Sequence, residues 1–312
     1  MPLRAQIALA FTAVYLIWGS TYLAIRFVIE TLPPFFMAGT RFIVAGVILY
    51  ILMIWRGSSK PTLKQWGTAA VVGGLMLMGG HGAVVWAEQW MPSGLASLLI
   101  STVPLWMAFL SWFSSRRRPN AKVIAGLIIG FAGVVLLIGS VEASGGTGIS
   151  LIGGTVVVTG ALLWASGSFY SRSARLPSSS LLATAMEMTT GGIVLSIASL
   201  ATGEWMNIHL DQVSLRSAFS WVYLVVFGSL IGYTCYMWLL KATTTERVST
   251  YAYVNPVVAL FLGWALADET LTVQNMLAAG IILASVAIIT TYGLKQDSKE
   301  NPKQQVNKSN AA

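Results

Sequence analysis

Long stretches without Asp, Glu, Lys or Arg dominate this chain. Eight of them are long enough to cross a bilayer: 5–25, 65–87, 89–115, 123–141, 143–171, 217–240, 248–267 and 270–294. About 20 apolar residues in a helix cover a hydrocarbon core roughly 30 Å thick. Two more apolar stretches carry one internal charge each, 34–55 with Arg41 and 180–203 with Glu187. The pattern therefore predicts an all-α membrane protein with ten transmembrane helices.

The polar residues between these stretches sort by sign. Lys60 and Lys64, then Arg116, Arg117, Arg118 and Lys122, then Arg172 and Arg175, then Lys241 and Arg247 fall in alternate loops. Lys295, Lys299, Lys303 and Lys308 follow the last stretch. The intervening loops hold Glu30, Glu88, Glu142, Glu204, Asp211, Asp268 and Glu269, with Arg216 as the basic exception. Basic loops stay on the cytoplasmic side, so both termini are expected there. That requires an even number of spans, in agreement with ten.

The two halves resemble each other. Ile17-Trp18-Gly19-Ser20 with Arg26 matches Leu163-Trp164-Ala165-Ser166 with Arg172, and the same offset carries Arg41-Phe42 onto Glu187-Met188 and Ala45-Gly46 onto Gly191-Gly192. At a slightly larger offset, Val103-Pro104 matches Asn255-Pro256, Phe109-Leu110 matches Phe261-Leu262, and Trp112 matches Trp264. The units are residues 5–141 and 150–292, followed by a polar tail, 293–312, too poor in apolar residues to bury a core and expected to be disordered on the cytoplasmic side. Five spans per unit is odd, so the second unit must enter the membrane in the opposite sense. Inverted duplication of this kind is typical of transporters, because related halves can exchange conformations across a two-fold axis.

Composition narrows the classes. The chain is 55% apolar and 10% charged, whereas soluble domains carry about 25% charged residues. The net charge of +8 comes in short clusters between apolar runs and forms no continuous basic stripe, so nucleic acid is not an expected partner. The single cysteine, Cys235, excludes an intrachain disulfide and a thiolate metal cluster. Residues 5–25 look like a signal peptide but are long enough to span and are read as a retained first helix. No G-x-x-x-x-G-K-[ST], G-x-S-x-G or H-E-x-x-H occurs, which disfavours an ATP-driven pump and a membrane hydrolase. A passive channel and a membrane-embedded enzyme remain as alternatives to a carrier, and no cofactor is expected.

Few residues carry chemistry. A charge at a bilayer centre costs about 2.5–3.5 kcal/mol on insertion scales, so Arg41 and Glu187 need a reason. Each lies about 10 Å in from opposite faces at 1.5 Å per residue, which separates them in depth and argues against a direct bridge. His81 and Glu88, seven residues apart, share a helix face. An outer cluster of Arg41, His81 and Glu88 is therefore expected to recognise an anion, with His81 or Glu88 as candidate proton carrier. The alternatives are that Arg41 snorkels and that Glu88 is an interfacial acid. For Glu187 the choice is between a neutral, proton-coupling carboxyl and a structural contact to Arg172 or Arg175. Pro104 and Pro256, with Asn255, predict paired helix breaks that free the carbonyls of Ile100 and Ala252. Trp18, Trp164, Tyr251 and Tyr253 are candidates to line a cavity and stack on a substrate, or to pack. Gly126 and Gly130 predict a close helix contact, within the monomer or in a homodimer.

The sequence resembles the EamA branch of the drug/metabolite transporter superfamily, and within it the YedA-type exporters. The resemblance rests on Trp18-Gly19-Ser20-Thr21, Arg41-Phe42, Pro92-Ser93-Gly94, Pro104-Leu105 and Tyr251-Ala252-Tyr253-Val254-Asn255-Pro256. Asp268-Glu269-Thr270 stands where that family commonly has Gly-Glu. It implies a ten-helix fold with a central cavity lined by helices 1, 3, 4, 6, 8 and 9, with helices 5 and 10 peripheral. It also implies export of small organic molecules, amino-acid-like or drug-like, across the cytoplasmic membrane by alternating access. The expected partners are that substrate, lipid and, as a candidate coupling ion, the proton.

Overall fold

A computed structural model describes residues 2–115, 121–143, 149–270 and 272–300. Among the described residues every regular element is helical. The principal helices are α1 (Leu3–Ile29), α2 (Pro34–Trp55), α3 (Leu63–Ala87), α4 (Ser93–Ile100, resumed at Val103–Ser115) and α5 (Ala121–Ala143). They continue with α6 (Ile149–Ser171), α7 (Ser180–Ala201), α8 (Leu215–Ala242), α9 (Tyr251–Leu266) and α10 (Val273–Glu300). Among the described residues, seven helices are long and apolar enough to cross a membrane: α1 to α4 and α6 to α8. Shorter apolar segments, Ala121–Leu136, Val254–Leu266 and Val273–Ile289, lie in α5, α9 and α10.

The helix ends show why the chain turns where it does. Thr62 and Gln65 form a reciprocal capping box at the start of α3, and Ser179 accepts from Leu182 N at the start of α7. Such caps satisfy amides that have no partner inside the helix. Two caps come from distant loops. Glu204, after α7, accepts from the Phe35 and Phe36 amides at 3.2 and 2.9 Å. Glu269, after α9, accepts from Ser93 N and Ser93 Oγ, both at 2.7 Å, and from Gly94 N at 3.1 Å. Asp268, beside it, takes a left-handed φ of 52°, a conformation that glycine adopts without cost. Removing this carboxylate strands two amides and a hydroxyl. Glu269→Ala is expected to cost about 2–3 kcal/mol, read as a lowered thermal midpoint of the purified protein in detergent, with Glu269→Gln recovering part of the loss.

These contacts gather one end of the bundle, here termed the acidic end. It holds the last turns of α1, α3, α7 and α9 and the first turns of α2, α4 and α8. There Arg26 donates to the Glu88 carbonyl at 2.8 Å, Ser217 Oγ donates to the Phe27 carbonyl at 2.7 Å, and Arg216 lies 3.8 Å from Glu30. At the other, basic end, the Lys122 amine sits over the Tyr292 ring at 4.3 Å and Arg172 reaches the Thr243 carbonyl at 3.5 Å. α1 therefore finishes at the acidic end and α6 at the basic end.

Small residues set the central packing. α2 crosses α7, α5 lies along α10, α1 packs on α8 and α9, and α6 packs on α3 and α4. A Cβ at Gly46 would fall 2.6 Å from Thr189 N, and one at Gly192 would fall 2.7 Å from Ile43 N. The backbones of α2 and α7 therefore meet directly. Gly126 and Gly130 of α5 instead receive side chains of α10, Ile289 and Ser285, so the predicted small-residue contact is made within one chain.

Three features differ from the sequence reading. α4 is interrupted at Ser101-Thr102, and Pro104 stands in the first turn of its second segment, where a missing N–H costs nothing. Pro256, by contrast, lies inside an otherwise continuous α9. Beyond Tyr292, α10 continues to Glu300, carried by the helix-favouring Leu294, Lys295 and Gln296; residues 301–312 lie outside the described residues. Finally, α3 and α8 each contain a widened π segment, Gly74–His81 and Leu224–Tyr233, which no periodicity announced.

Candidate functional site

Both π segments face the middle of the bundle, and a central cavity lies between them. It measures about 60 Å³, room for a few waters where one needs roughly 10–15 Å³. α1 contributes Trp18, Thr21, Tyr22 and Ile25, α2 Arg41 and Phe42, and α3 Leu77, Gly80, His81 and Val84. Ile100 of α4, Trp164 of α6, Gly228 and Tyr233 of α8, and Tyr251 of α9 complete the wall.

Arg41 is its polar centre. The side chain is 3% exposed, and Nε donates to Ser229 Oγ at 2.8 Å. Nη1 contacts His81 Nε2 at 3.2 Å. A guanidinium has no acceptor, so His81 accepts here and its ring carries no charge. The guanidinium carbon lies 4.7 Å over the Phe42 ring. No carboxylate lies within ion-pairing distance of it among the described residues. Gly228 makes the pose feasible, since a Cβ there would meet Arg41 Nη2 at 2.7 Å. A desolvated cation held by neutral groups, with no anion of its own, is an open demand for one.

The expected cluster of Arg41, His81 and Glu88 forms in part. His81 joins Arg41, but Glu88 stands two turns further on, just past the end of α3 and outside the cavity lining. Its carboxyl is fully buried and neither oxygen has a hydrogen-bond partner. Glu88 follows the last residue of α3, and burial, with the Glu269 carboxylate adding to it, holds its carboxyl well above the usual carboxylate range; Arg26 pulls the other way.

Aromatic rings fill the space towards the basic end. Trp18 and Trp164, the matched pair from the two halves, meet edge to face with centroids 5.5 Å apart. Tyr236 lies 4.9 Å from Trp18 and 5.5 Å from Trp164, and Tyr251 lies 5.6 Å from Trp18. Polar edges are used as well: Trp18 Nε1 donates to the Gly228 carbonyl at 3.1 Å, and Trp164 Nε1 donates to the Tyr236 hydroxyl at 3.1 Å. The side chain of Tyr253 lies outside the described residues.

Glu187 is placed one level down. The crossing at Gly46 and Thr189 sets it about five residues of α2, roughly 8 Å, from Arg41 in depth. Its hydrogen-bond partner is Tyr233, and the cation that acts on it through space is Lys241, where the sequence pointed to Arg172 or Arg175. Pro104, Asn255 and Pro256 stand off the cavity lining, one turn beyond the residues of α4 and α9 that form it. With its amide turned to donate, Asn255 reaches the Tyr15 carbonyl at 3.0 Å and ties α9 to α1.

Sequence reasoning missed Tyr22, Ser229, Tyr233 and Tyr236. A signal existed for part of this: Gly228 and Gly232 form a G-x-x-x-G in α8, and they are the two positions where Arg41 and Trp18 pass against backbone.

Comparison with known proteins adds an independent line. Residues 5–139 and 151–291 each match the EamA-like transporter family. The "Uncharacterized inner membrane transporter YedA" of Escherichia coli K12 is 39% identical over 284 residues, 90% of this chain and 89% of that one. The "Probable amino-acid metabolite efflux pump" of the same strain is 25% identical, covering 90% and 93%. The transporter YvbV of Bacillus subtilis is 24% identical, covering 94% and 93%. A solved crystal structure shares the fold with a TM-score of 0.66 at 20% identity, covering 92% of this chain and 98% of that one.

Proposed function

Because the chain belongs to the EamA-like transporter family and is a multi-pass inner-membrane transporter rather than an enzyme by that kinship, we propose that it exports small organic carboxylates with an apolar or aromatic body by alternating access. The observation that carries this reading is Arg41: a buried cation without a carboxylate partner among the described residues, lining a cavity whose other walls are aromatic and apolar. A zwitterionic amino acid or related metabolite offers both matching parts, a carboxylate for the guanidinium fork and a side chain for the rings. The "amino-acid metabolite efflux pump" named above is consistent with that class.

Alternating access draws on the arrangement of the halves. Ten spans as two inverted units, residues 5–141 and 150–292 with both termini cytoplasmic, would make α1 equivalent to α6, α2 to α7, α3 to α8, α4 to α9 and α5 to α10. The contacts respect that exchange. α3 packs on α6 as α8 packs on α1, α4 on α6 as α9 on α1, and α2·α7 and α5·α10 map onto themselves. The π segments fall in the equivalent helices α3 and α8. The cavity is too small for an amino acid, so loading requires helices to part at one end and then the other. Parting along one interface is the motion that near-symmetric halves permit.

Two measurements test this. Reconstituted protein should exchange labelled amino acids in counterflow, which a channel does not support and an enzyme would replace by consumption. Single cysteines at Lys60 and at Glu204 should label from opposite sides of right-side-out cells, with Lys60 cytoplasmic. Labelling of both from one side would refute the spanning scheme.

A further inference from the structure

Glu187 is a carboxyl with no exposed surface, set two turns into α7. Its Oε1 has no hydrogen-bond partner. Its Oε2 accepts from the Tyr233 hydroxyl at 3.4 Å, and that hydroxyl also lies 3.8 Å from Met76 Sδ. The ring of Tyr233 forms part of the cavity wall. Its centroid is 6.2 Å from Trp164 and 6.5 Å from Phe42, the ring beneath the Arg41 guanidinium. One tyrosine therefore touches the cavity with its ring and the buried carboxyl with its hydroxyl.

We propose that Glu187 carries the proton that drives transport through the Arg41 cavity, with the Tyr233 hydroxyl joining the two. The proposal rests on the carrier reading above and names the coupling site within it. A glutamate kept only for packing would be poorly placed here. An oxygen left bare in an apolar core costs about 1–3 kcal/mol, more if the group is charged, and no hydrogen bond reaches Oε1 to offset it. A group that must exchange a proton, by contrast, needs that oxygen free.

The step balances without any other reactant. With Glu187 ionised, Tyr233 O–H donates to Oε2. A proton arriving through cavity water binds the tyrosine oxygen as the hydroxyl's own proton passes to Oε2. Two O–H bonds form, at the Tyr233 oxygen and at Oε2, and two break, in the protonated water and in the original hydroxyl, so Tyr233 is unchanged and Glu187 becomes the neutral acid. Release runs towards the basic end, where Lys241 of α8 is the cation whose field reaches Glu187. α2 and α3 also pack on α7, and their ionisable residues stand elsewhere along them. Arg41 and His81 are in the cavity; Tyr50 and Lys64 lie near the basic end. A hydrogen bond to a carboxylate is roughly twice as strong as one to a neutral acid. Protonation therefore loosens Tyr233 from α7 and changes the wall that contacts the substrate.

The test uses the full chain in proteoliposomes with L-phenylalanine as probe. The wild type should accumulate it against an imposed proton gradient, about tenfold per pH unit for one proton exchanged. Glu187→Gln should keep counterflow within about twofold and lose the gradient-driven accumulation. Accumulation by Glu187→Gln equal to wild type, or wild-type accumulation that ignores the gradient, overturns the proposal and leaves the exporter reading standing. Absence of counterflow in the wild type fails that reading for the probe, and a second readout still decides the residue. Infrared spectra of the purified protein should show the carbonyl stretch of a protonated carboxyl that titrates with pH and is missing in Glu187→Gln. Tyr233→Phe should shift its midpoint. A band that never titrates, or one that Glu187→Gln retains unchanged, overturns the assignment.

Discussion

Arg41→Ala lowers counterflow of a carboxylate substrate by about a hundredfold or more. Hydrogen bonds to a charged group contribute about 1.5–3 kcal/mol each, and a guanidinium fork offers two to a carboxylate. The same variant should keep or raise the thermal midpoint, because a buried cation without an anion costs stability in the empty protein. That split, transport lost while stability is retained, separates a substrate-binding arginine from a structural one. Arg41→Lys should fall between, about tenfold below wild type. A lysine keeps the charge but cannot hold Ser229 and His81 while also presenting a fork. Wild-type counterflow by Arg41→Ala would remove the centre of the proposed site.

Gly192→Val prevents the chain from reaching its folded state in normal yield. A Cβ at this position would sit 2.7 Å from Ile43 N and 2.9 Å from both the Gly39 carbonyl oxygen and Ile43 Cγ1. Two of those three atoms are backbone, so no side-chain rotation relieves the overlap and α2 must move off α7. Overpacking costs about 1–3 kcal/mol where side chains can yield and more where they cannot. Gly280→Val is the matched control. Gly280 is exposed on α10 and an added Cβ would meet nothing within 4 Å, so the variant should chromatograph and melt as wild type. Fluorescence-detected size exclusion of the two variants side by side reads the difference. If Gly192→Val is as monodisperse and stable as Gly280→Val, the α2–α7 contact is not central to the fold.

Much of the helical order was legible because burial in lipid leaves a coarse mark. A span must be apolar for about 20 residues whatever its neighbours are, so the long helices and the loops between them stood out residue by residue. Arg41 and Glu187 were legible for the same reason, as charges where the solvent permits few. Trp18 and Trp164 were found through internal repetition, and they meet at the centre. Tyr233 and Tyr236 escaped notice because a tyrosine in an apolar run looks like any packing residue. Ser229 escaped because one hydroxyl in α8 has nothing to distinguish it until a guanidinium arrives.

The sequence by itself determined that the chain is helical, apolar enough for a membrane, marked by matching motifs in its two halves, and provided with one cation and one acid inside otherwise apolar stretches. Those properties follow from local composition and spacing. Only the tertiary structure decided the partners: His81 and Ser229 for Arg41, Tyr233 for Glu187, and Glu269 for the first turn of α4. It also decided that Glu88 stands apart from Arg41 although it shares a helix face with His81. Partner choice depends on how far one helix is shifted and rotated against another. Close glycine contacts and widened turns set that shift, and the spacing of apolar residues along one helix does not record it.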